Sequence, residues 1–272
     1  MKKSLIASFV LLCTCLCHAQ TKVFKEVSEE ISSHFETIRQ DNVLLGYLVF
    51  TTLEKASADS FNYKLTIMDE NLNDIGTVNF REQKLHFQSV AFEQDILCVS
   101  YFKSNFCNVE FKSRKAHKEG FENAKSWVFL QFLNLEGKII GTSQVKTDVW
   151  YDKAHYSPKP KTYYGAGRQK QAIQVKNLPN KGFACFFREE TKNTLLIYNT
   201  AGQLTWKKPV TDYADYFGLW TSGSNAYLLM KKKDPIPDAG YELLGYSTSD
   251  STTFPKYTLK DKQGNPLKVL TF

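Results

Sequence analysis

Two hydrophobic periods divide the chain. Between Val23 and Arg39, apolar residues fall at Val23, Val27, Ile31, Phe35 and Ile38, with Glu26, Glu29 and Glu30 between them. That spacing predicts one amphipathic helix within the segment 20–41, packed on whatever follows it. From Asn42 onward the pattern changes to sixteen short runs, from Val43–Thr51 and Phe61–Asp69 to Phe254–Lys260 and Pro266–Thr271. β-Branched and aromatic residues fill these runs, and Gly, Asn, Asp or Ser bound them. Residues 42–272 therefore read as an all-β domain.

The runs repeat. Tyr63-Lys64-Leu65-Thr66-Ile67-Met68-Asp69, followed by Asp74-Ile75-Gly76, resembles Phe129-Leu130-Gln131-Phe132-Leu133-Asn134 followed by Glu136-Gly137-Lys138. The unit returns as Thr194-Leu195-Leu196-Ile197-Tyr198-Asn199 before Ala201-Gly202-Gln203, and more loosely from Tyr241. Each copy is a strand, a tight polar turn with a place for positive φ, and a second strand. Four strands per repeat predict a β-propeller-like antiparallel meander of four-stranded blades. Three runs precede Arg81, three groups of four follow, and one run is left over. If Pro266–Thr271 pairs with Val43–Thr51, about four blades close into a ring without an exposed sheet edge. A larger propeller of which this chain holds a part, and a two-sheet sandwich, stay open on the pattern alone.

The first residues carry an address. Lys2 and Lys3 precede an apolar run from Leu5 to Cys17, and Cys17 and Ala19 stand at the −3 and −1 positions of a cut before Gln20. Residues 1–19 are therefore expected to be a signal peptide, the run being too short to span a bilayer. A start-transfer anchor is the alternative. Leu12, Thr14 and Leu16 precede the three cysteines here, which disfavours a lipoprotein cut. The expected product is secreted or periplasmic, with no transmembrane segment after cleavage. Cys98, Cys107 and Cys185 then remain, enough for at most one internal disulfide, and Cys98 reads as a buried strand residue.

Composition narrows the function classes. The 272 residues are 42% hydrophobic and 23% charged, which excludes a disordered chain. The net charge of +7 includes Lys2 and Lys3. What remains is too small to argue for nucleic acid as a partner.

Loop lengths say more. In a meander, successive connections alternate between the two ends of the strands. Every connection longer than about seven residues falls in one parity set, with 52–60, 104–125, 147–170, 190–192, 210–214 and 233–240. Long loops on a rigid scaffold are where binding tends to sit. Loop 147–170 holds Trp150, Tyr151, His155, Tyr156, Tyr163, Tyr164 and Arg168, stiffened by Pro158 and Pro160. Such a set binds sugars or protein side chains by stacking and hydroxyl hydrogen bonds, or else packs back on the blade tops. Loop 104–125 holds Arg114 and Lys115 within the run Lys112–Lys118, able to hold an anionic group or simply to be solvated. Loop 233–240 offers Asp234 and Asp238.

Catalytic and cofactor patterns are missing. His34, His86, His117 and His155 have no helical spacing, and there is no Cys-x-x-Cys, so neither metal nor cofactor is expected. Asp69–Asp74 imitates the start of a calcium loop but lacks its sixth-position glycine, and a hairpin turn accounts for it. Two of three dinucleotide glycines at Gly165 and Gly167 do not open a helix, and no Gly-x-Ser-x-Gly elbow occurs.

The segment ending in Ala19-Gln20, the aromatic strands and the repeated strand–Asp/Asn–x–x–Gly–strand units resemble exported β-propeller-like proteins of unknown function of the Bacteroidetes type. The resemblance covers residues 42–272 and implies a secreted or periplasmic scaffold. It brings no functional residue with it. The expected function is a non-enzymatic binding or scaffold protein, its partner an unknown protein or glycan of the cell envelope. Two other classes compete. One is a propeller-type carbohydrate-active enzyme with a carboxylate site at the ring axis. The other is a structural subunit of an envelope assembly, recognisable by a contiguous apolar patch.

Overall fold

Inner runs such as Ser126–Asn134 are apolar almost throughout, whereas outer ones such as Ile139–Thr147 alternate apolar or half-buried with exposed positions, and both patterns suit pleated strands. A computed structural model describes residues 32–57, 60–105, 113–123, 125–147, 173–188, 193–210, 214–232, 240–250 and 252–267. Residues 1–19, and Val23 to Ile31 of the expected helix, lie outside them. The strands are β1 (Ser32–Gln40), β2 (Val43–Lys55), β3 (Ser60–Asp69), β4 (Asp74–Gln83), β5 (Leu85–Glu93), β6 (Ile96–Ser104), β7 (Ser126–Asn134) and β8 (Ile139–Thr147). They continue as β9 (Ile173–Leu178), β10 (Gly182–Arg188), β11 (Asn193–Tyr198), β12 (Leu204–Val210), β13 (Ala214–Ser222), β14 (Asn225–Lys232), β15 (Tyr241–Ser247) and β16 (Tyr257–Thr258). Among the described residues one helix, α1 (Arg114–Glu122), lies between β6 and β7.

Consecutive strands form four antiparallel four-stranded sheets, β1–β4, β5–β8, β9–β12 and β13–β16. The fold is thus all-β and propeller-like, with four sheets each made from one continuous stretch of chain.

Two expectations are corrected. Ser32–Gln40 is strand, not helix, and pairs along β2 from Ser32↔Thr52 to Gln40↔Val43. In a strand Phe35 and Ile38 point to opposite faces. Ile38 enters the core while Phe35 packs on Tyr47, with ring centroids 5.1 Å apart. A full ladder plus burial outweighs the helical spacing. The second correction concerns closure. Both edges of β2 are taken, by β1 and β3. Pro266 instead bridges Lys260, and Leu267 N–H donates to the Leu259 carbonyl at 2.9 Å, so these two residues adjoin the fourth sheet, while 268–271 lie outside the described residues.

Three apolar cores join the four sheets in sequence. Leu48, Phe50, Tyr63, Leu65 and Ile67 pack on Leu97, Val99, Tyr101 and Phe129 between the first and second sheets. Cys98, Phe102, Val128 and Phe132 meet Val175, Phe183, Cys185 and Tyr198 between the second and third. Ala184, Phe186, Leu195 and Ile197 meet Leu219, Leu228, Met230 and Leu244 between the third and fourth. Cys98 and Cys185 are free thiols in the middle core, pushed up in pKa by burial.

The first strand of each sheet is innermost, with β1 packed on β5, β5 on β9, and β9 on β13; among the described residues β13 and β1 share no comparable contact. Side chains register these strands as parallel. His34 stacks on Phe87 at 4.4 Å and Gln40 reaches Glu93, so β1 and β5 run together. The Ser89 hydroxyl accepts from Val175 N–H at 3.0 Å and bonds Ser100 Oγ at 2.8 Å. Further along, buried Glu93 accepts from Asn177 Nδ2 at 3.1 Å and from Asn180 N–H at 2.8 Å, so β5 and β9 run together too.

The repeated turn is now explicit. Asp69, Asn134 and Asn199 stand sixty-five residues apart. Each side-chain oxygen accepts the backbone N–H four residues on, at 2.8, 2.7 and 2.9 Å. The fourth residue of each turn has positive φ: 65° at Leu72, 86° at Gly137 and 76° at Gly202. The resemblance to a calcium loop is accounted for by this hairpin geometry. The second and third of these turns each nest on the preceding sheet at a glycine. A Cβ on Gly76 would meet the Leu135 carbonyl oxygen, and one on Gly141 would lie 2.9 Å from that of Ala201. At the third junction Trp206 stands instead, its indole N–H donating to Thr248 O at 3.2 Å.

Candidate functional site

Antiparallel pairing and parallel inner strands send the chain reversals to two ends. One end holds the compact turns 41–42, 70–73, 94–95, 135–138, 179–181, 199–203, 223–224 and 248–252. The strands that flank 56–59, 105–125, 148–172, 189–192, 211–213 and 233–240 have their ends at the other, together with the single residue Lys84 between β4 and β5. The longest connections share the second end, as the parity of the sequence runs requires.

A polar cleft opens at this loop-bearing end. It measures about 370 Å³ and is lined by Ser57, Ser60, Arg81, Glu82 and Gln83. Its floor is built from backbone bonds. Ala56 N–H and Ser57 N–H both donate to Ser60 O, at 2.8 and 3.1 Å, which brings the hydroxyls of Ser57 and Ser60 to 2.7 Å. Arg81, opposite Asn62 in the ladder, donates its Nε–H to Ser60 Oγ at 2.8 Å. Asn62 in turn donates to Glu54 at 2.6 Å, and this bond holds the Glu54 carboxyl below its usual pKa.

The wall toward the second sheet is a buried charge. Lys103 Nζ lies 2.8 Å from Glu82 Oε1 and 3.1 Å from Gln144 Oε1. Its ammonium sits 5.7 Å from the ring centroids of both Trp127 and Phe129, a cation–π arrangement. The lysine side chain is 8% exposed and Glu82 24%, so the cation is interior and the carboxylate opens on the cleft. Glu82 Oε1 also accepts Gln83 N–H at 2.8 Å. Beside this wall the buried Tyr63 hydroxyl accepts Leu85 N–H at 2.8 Å and donates to Gln83 O at 3.2 Å. Burial pushes its pKa up to about 12, so it stays a neutral donor. The arrangement offers donors from a guanidinium and hydroxyls, and acceptors from a carboxylate and an amide.

Of the residues singled out from sequence, Arg114 and Lys115 lie on exposed α1 at this end. The helix is capped by Ser113 Oγ, which accepts Ala116 N–H at 3.1 Å. Lys115 pairs loosely with Glu119 at 3.9 Å, and Lys118 with Glu122 at 3.9 Å. The excursion is clipped at its base, where Lys125 N–H donates to Asn105 Oδ1 at 2.7 Å. Trp150, Tyr151, His155, Tyr156, Tyr163, Tyr164, Arg168, Asp234 and Asp238 lie outside the described residues. The cleft was missed from sequence. One signal for it was available, in that Lys103 follows Tyr101 and Phe102 near the end of a largely apolar strand buried on both faces.

At the far end near the inner strands, Glu93 is the buried carboxylate, and both of its oxygens are engaged by amide groups. Among the described residues, no group of three or more His, Cys, Asp or Glu is placed to hold a metal ion. Among them too, no helix is long and apolar enough to cross a membrane.

Fold and cleft define a propeller-like all-β protein with a polar recess among its longer loops. Residues 1–117 match the model of a family of unknown function, DUF6770. No curated protein matches the chain. Similar solved structures include a protein of unknown function from Bacteroides caccae, 7% identical, with a TM-score of 0.37 over 78% of this chain and 69% of that one. The β-propeller domain of the Trilobed protease from Pyrococcus furiosus is 9% identical, with a TM-score of 0.41 over 87% of this chain and 65% of that one. A xylan β-1,4-xylosidase from Bacillus halodurans is 10% identical, with a TM-score of 0.34 over 85% of this chain. The chain spans 43% of that xylosidase, and so less than two thirds of each of the last two.

Proposed function

We propose that this chain is an exported, non-enzymatic binding protein of the cell envelope, and that its ligand face is the loop-bearing end. The observation that carries the reading is the coincidence of two features at one end. The longest connections and a charged, polar cleft sit there, above sheets held rigid by three continuous cores. Rigid elements that position variable loops are the usual way a scaffold presents a binding surface. The n-region, apolar run and Ala19-Gln20 junction support export, with Gln20 as the first residue of the mature protein. The partner is a protein or glycan held by aromatic stacking and polar contacts from loop 147–170, together with the cations of α1.

The test is a pull-down from envelope fractions with the mature protein. The variant with Trp150, Tyr151, Tyr163 and Tyr164 all replaced by alanine is expected to lose its captured partner. Retention of every partner by that variant overturns the loop assignment. N-terminal sequencing of the secreted or periplasmic product checks the cut before Gln20.

A further inference from the structure

Resting on the proposal that the loop-bearing end is the ligand face, we infer that the cleft between Ser57, Ser60, Arg81, Glu82 and Gln83 is a subsite for a small hydroxylated carboxylate, such as a sugar acid. The argument begins with what the cleft has left to give. Arg81 is anchored through Nε, in its bond to Ser60 Oγ, and its side chain is exposed. Among the described residues its two terminal amines have no hydrogen-bond partner, and with them a guanidinium offers the fork that matches a carboxylate. The serine pair adds one more donor. Two hydroxyls 2.7 Å apart share a single proton between them, so the other hydroxyl proton is free for a ligand.

The acceptors are equally placed. Glu82 would repel an anion if it stood alone, but Lys103 Nζ at 2.8 Å compensates it from the protein side. Its Oε1 is occupied by that ammonium and by Gln83 N–H, which leaves Oε2 to accept from ligand hydroxyls. The Gln83 side chain supplies an amide oxygen and an amide N–H₂. A bare anion would use the arginine and leave the acceptors idle, whereas a neutral polyol would leave the guanidinium fork unmatched. A ligand with one carboxylate and several hydroxyls uses both halves. The volume of about 370 Å³ suits a single small unit rather than a long chain.

Binding is measured by isothermal titration or ligand-observed NMR on the full mature chain, with four probes: D-glucuronate, its neutral methyl ester, D-glucose and inorganic phosphate. D-Glucuronate is expected to bind best, with the ester and glucose roughly tenfold weaker or more. Arg81→Gln is expected to weaken glucuronate by a similar factor, and Arg81→Lys to rescue it only in part, because an ammonium cannot grip both oxygens. Arg81 is exposed, so unchanged thermal unfolding of Arg81→Gln shows that the loss is one of binding. Ser57→Ala with Ser60→Ala is expected to weaken glucuronate several-fold. Phosphate binding more tightly than glucuronate overturns the ligand class. Glucuronate affinity that is absent, or equal in wild type and Arg81→Gln, overturns the subsite. The envelope pull-down with the four-alanine loop variant reads the ligand-face proposal separately. If capture depends on those aromatics while glucuronate ignores Arg81, the subsite inference alone fails.

Discussion

Lys103 Nζ lies 2.8 Å from Glu82 Oε1, and this contact ties β6 of the second sheet to β4 of the first at the mouth of the cleft. The lysine is nearly sealed from water between Trp127, Phe129 and Gln144. An ammonium taken out of water needs its partners, so the two sides of the pair are unequal. Lys103→Met is expected to cost about 2 kcal/mol, because Glu82 loses its counter-ion but keeps some water. Glu82→Gln keeps a hydrogen bond yet leaves the interior cation uncompensated, and is expected to be the more damaging change. Urea unfolding of the two variants checks the order.

The glycines at the sheet junctions give a graded series. Gly76→Ala drives a methyl group into the Leu135 carbonyl and is expected to cost about 2–3 kcal/mol, since backbone on both sides must shift. Gly141→Ala meets the Ala201 oxygen at 2.9 Å, where a small adjustment suffices, and is expected to cost about 1 kcal/mol. Thermal unfolding distinguishes them, and equal effects would mean the junctions are not nested as described.

The first of the repeated turns carries a mismatch. Leu72 holds φ at 65°, where its counterparts are Gly137 and Gly202. A side chain there works against its own backbone. Leu72→Gly is expected to stabilise the protein by up to about 1 kcal/mol, the relief being partly offset by the freedom glycine regains when unfolded. Loss of stability instead would show that the half-buried Leu72 side chain contributes more by packing than its backbone loses.

His86 makes stability depend on pH. Burial, helped by the neighbouring charge of Lys84, pushes its pKa down to about 4. The unfolded chain takes up that proton near pH 6.5, whereas the folded one resists until about 4. Stability is therefore whole above about pH 6.5 and falls as pH drops through that window, by as much as roughly 3 kcal/mol. The sign follows from the unfolded state binding more protons. His86→Gln is expected to flatten the slope between pH 6.5 and 4 in denaturant melts.

How much of this was legible in the sequence differs by element. Runs such as Ser126–Asn134 and Asn225–Lys232 coincide with β7 and β14 residue for residue. Their dense apolar, β-branched and aromatic content is a local property, and the Asn134-x-x-Gly137 turn fixes the register of β7 on β8. The N-terminal segment misled because Val27, Ile31, Phe35 and Ile38 are spaced for a helix. What decides β1 is the free edge of β2, which no local window shows. The closing pair failed for a related reason, since β1 already occupies that edge. The cleft was hidden because its residues come from the ends of β2, β3, β4 and β6, brought together only by pairing such as Ser60↔Gln83. Lys103 at the end of an apolar strand was the one visible hint of a buried cation.

The assignment of each sheet to one continuous stretch of chain sets the order in which the molecule can be made. A fold closed by its last strand must wait for its final residues before its first sheet is complete. Here β1 to β4 are finished by Gln83 and β5 to β8 by Thr147, and each new sheet finds the previous one ready to pack on. A chain emerging from its amino end can consolidate piece by piece, each piece a template for the next. Among the described residues the first sheet and the last each lean on a single neighbour, and the two between them on two.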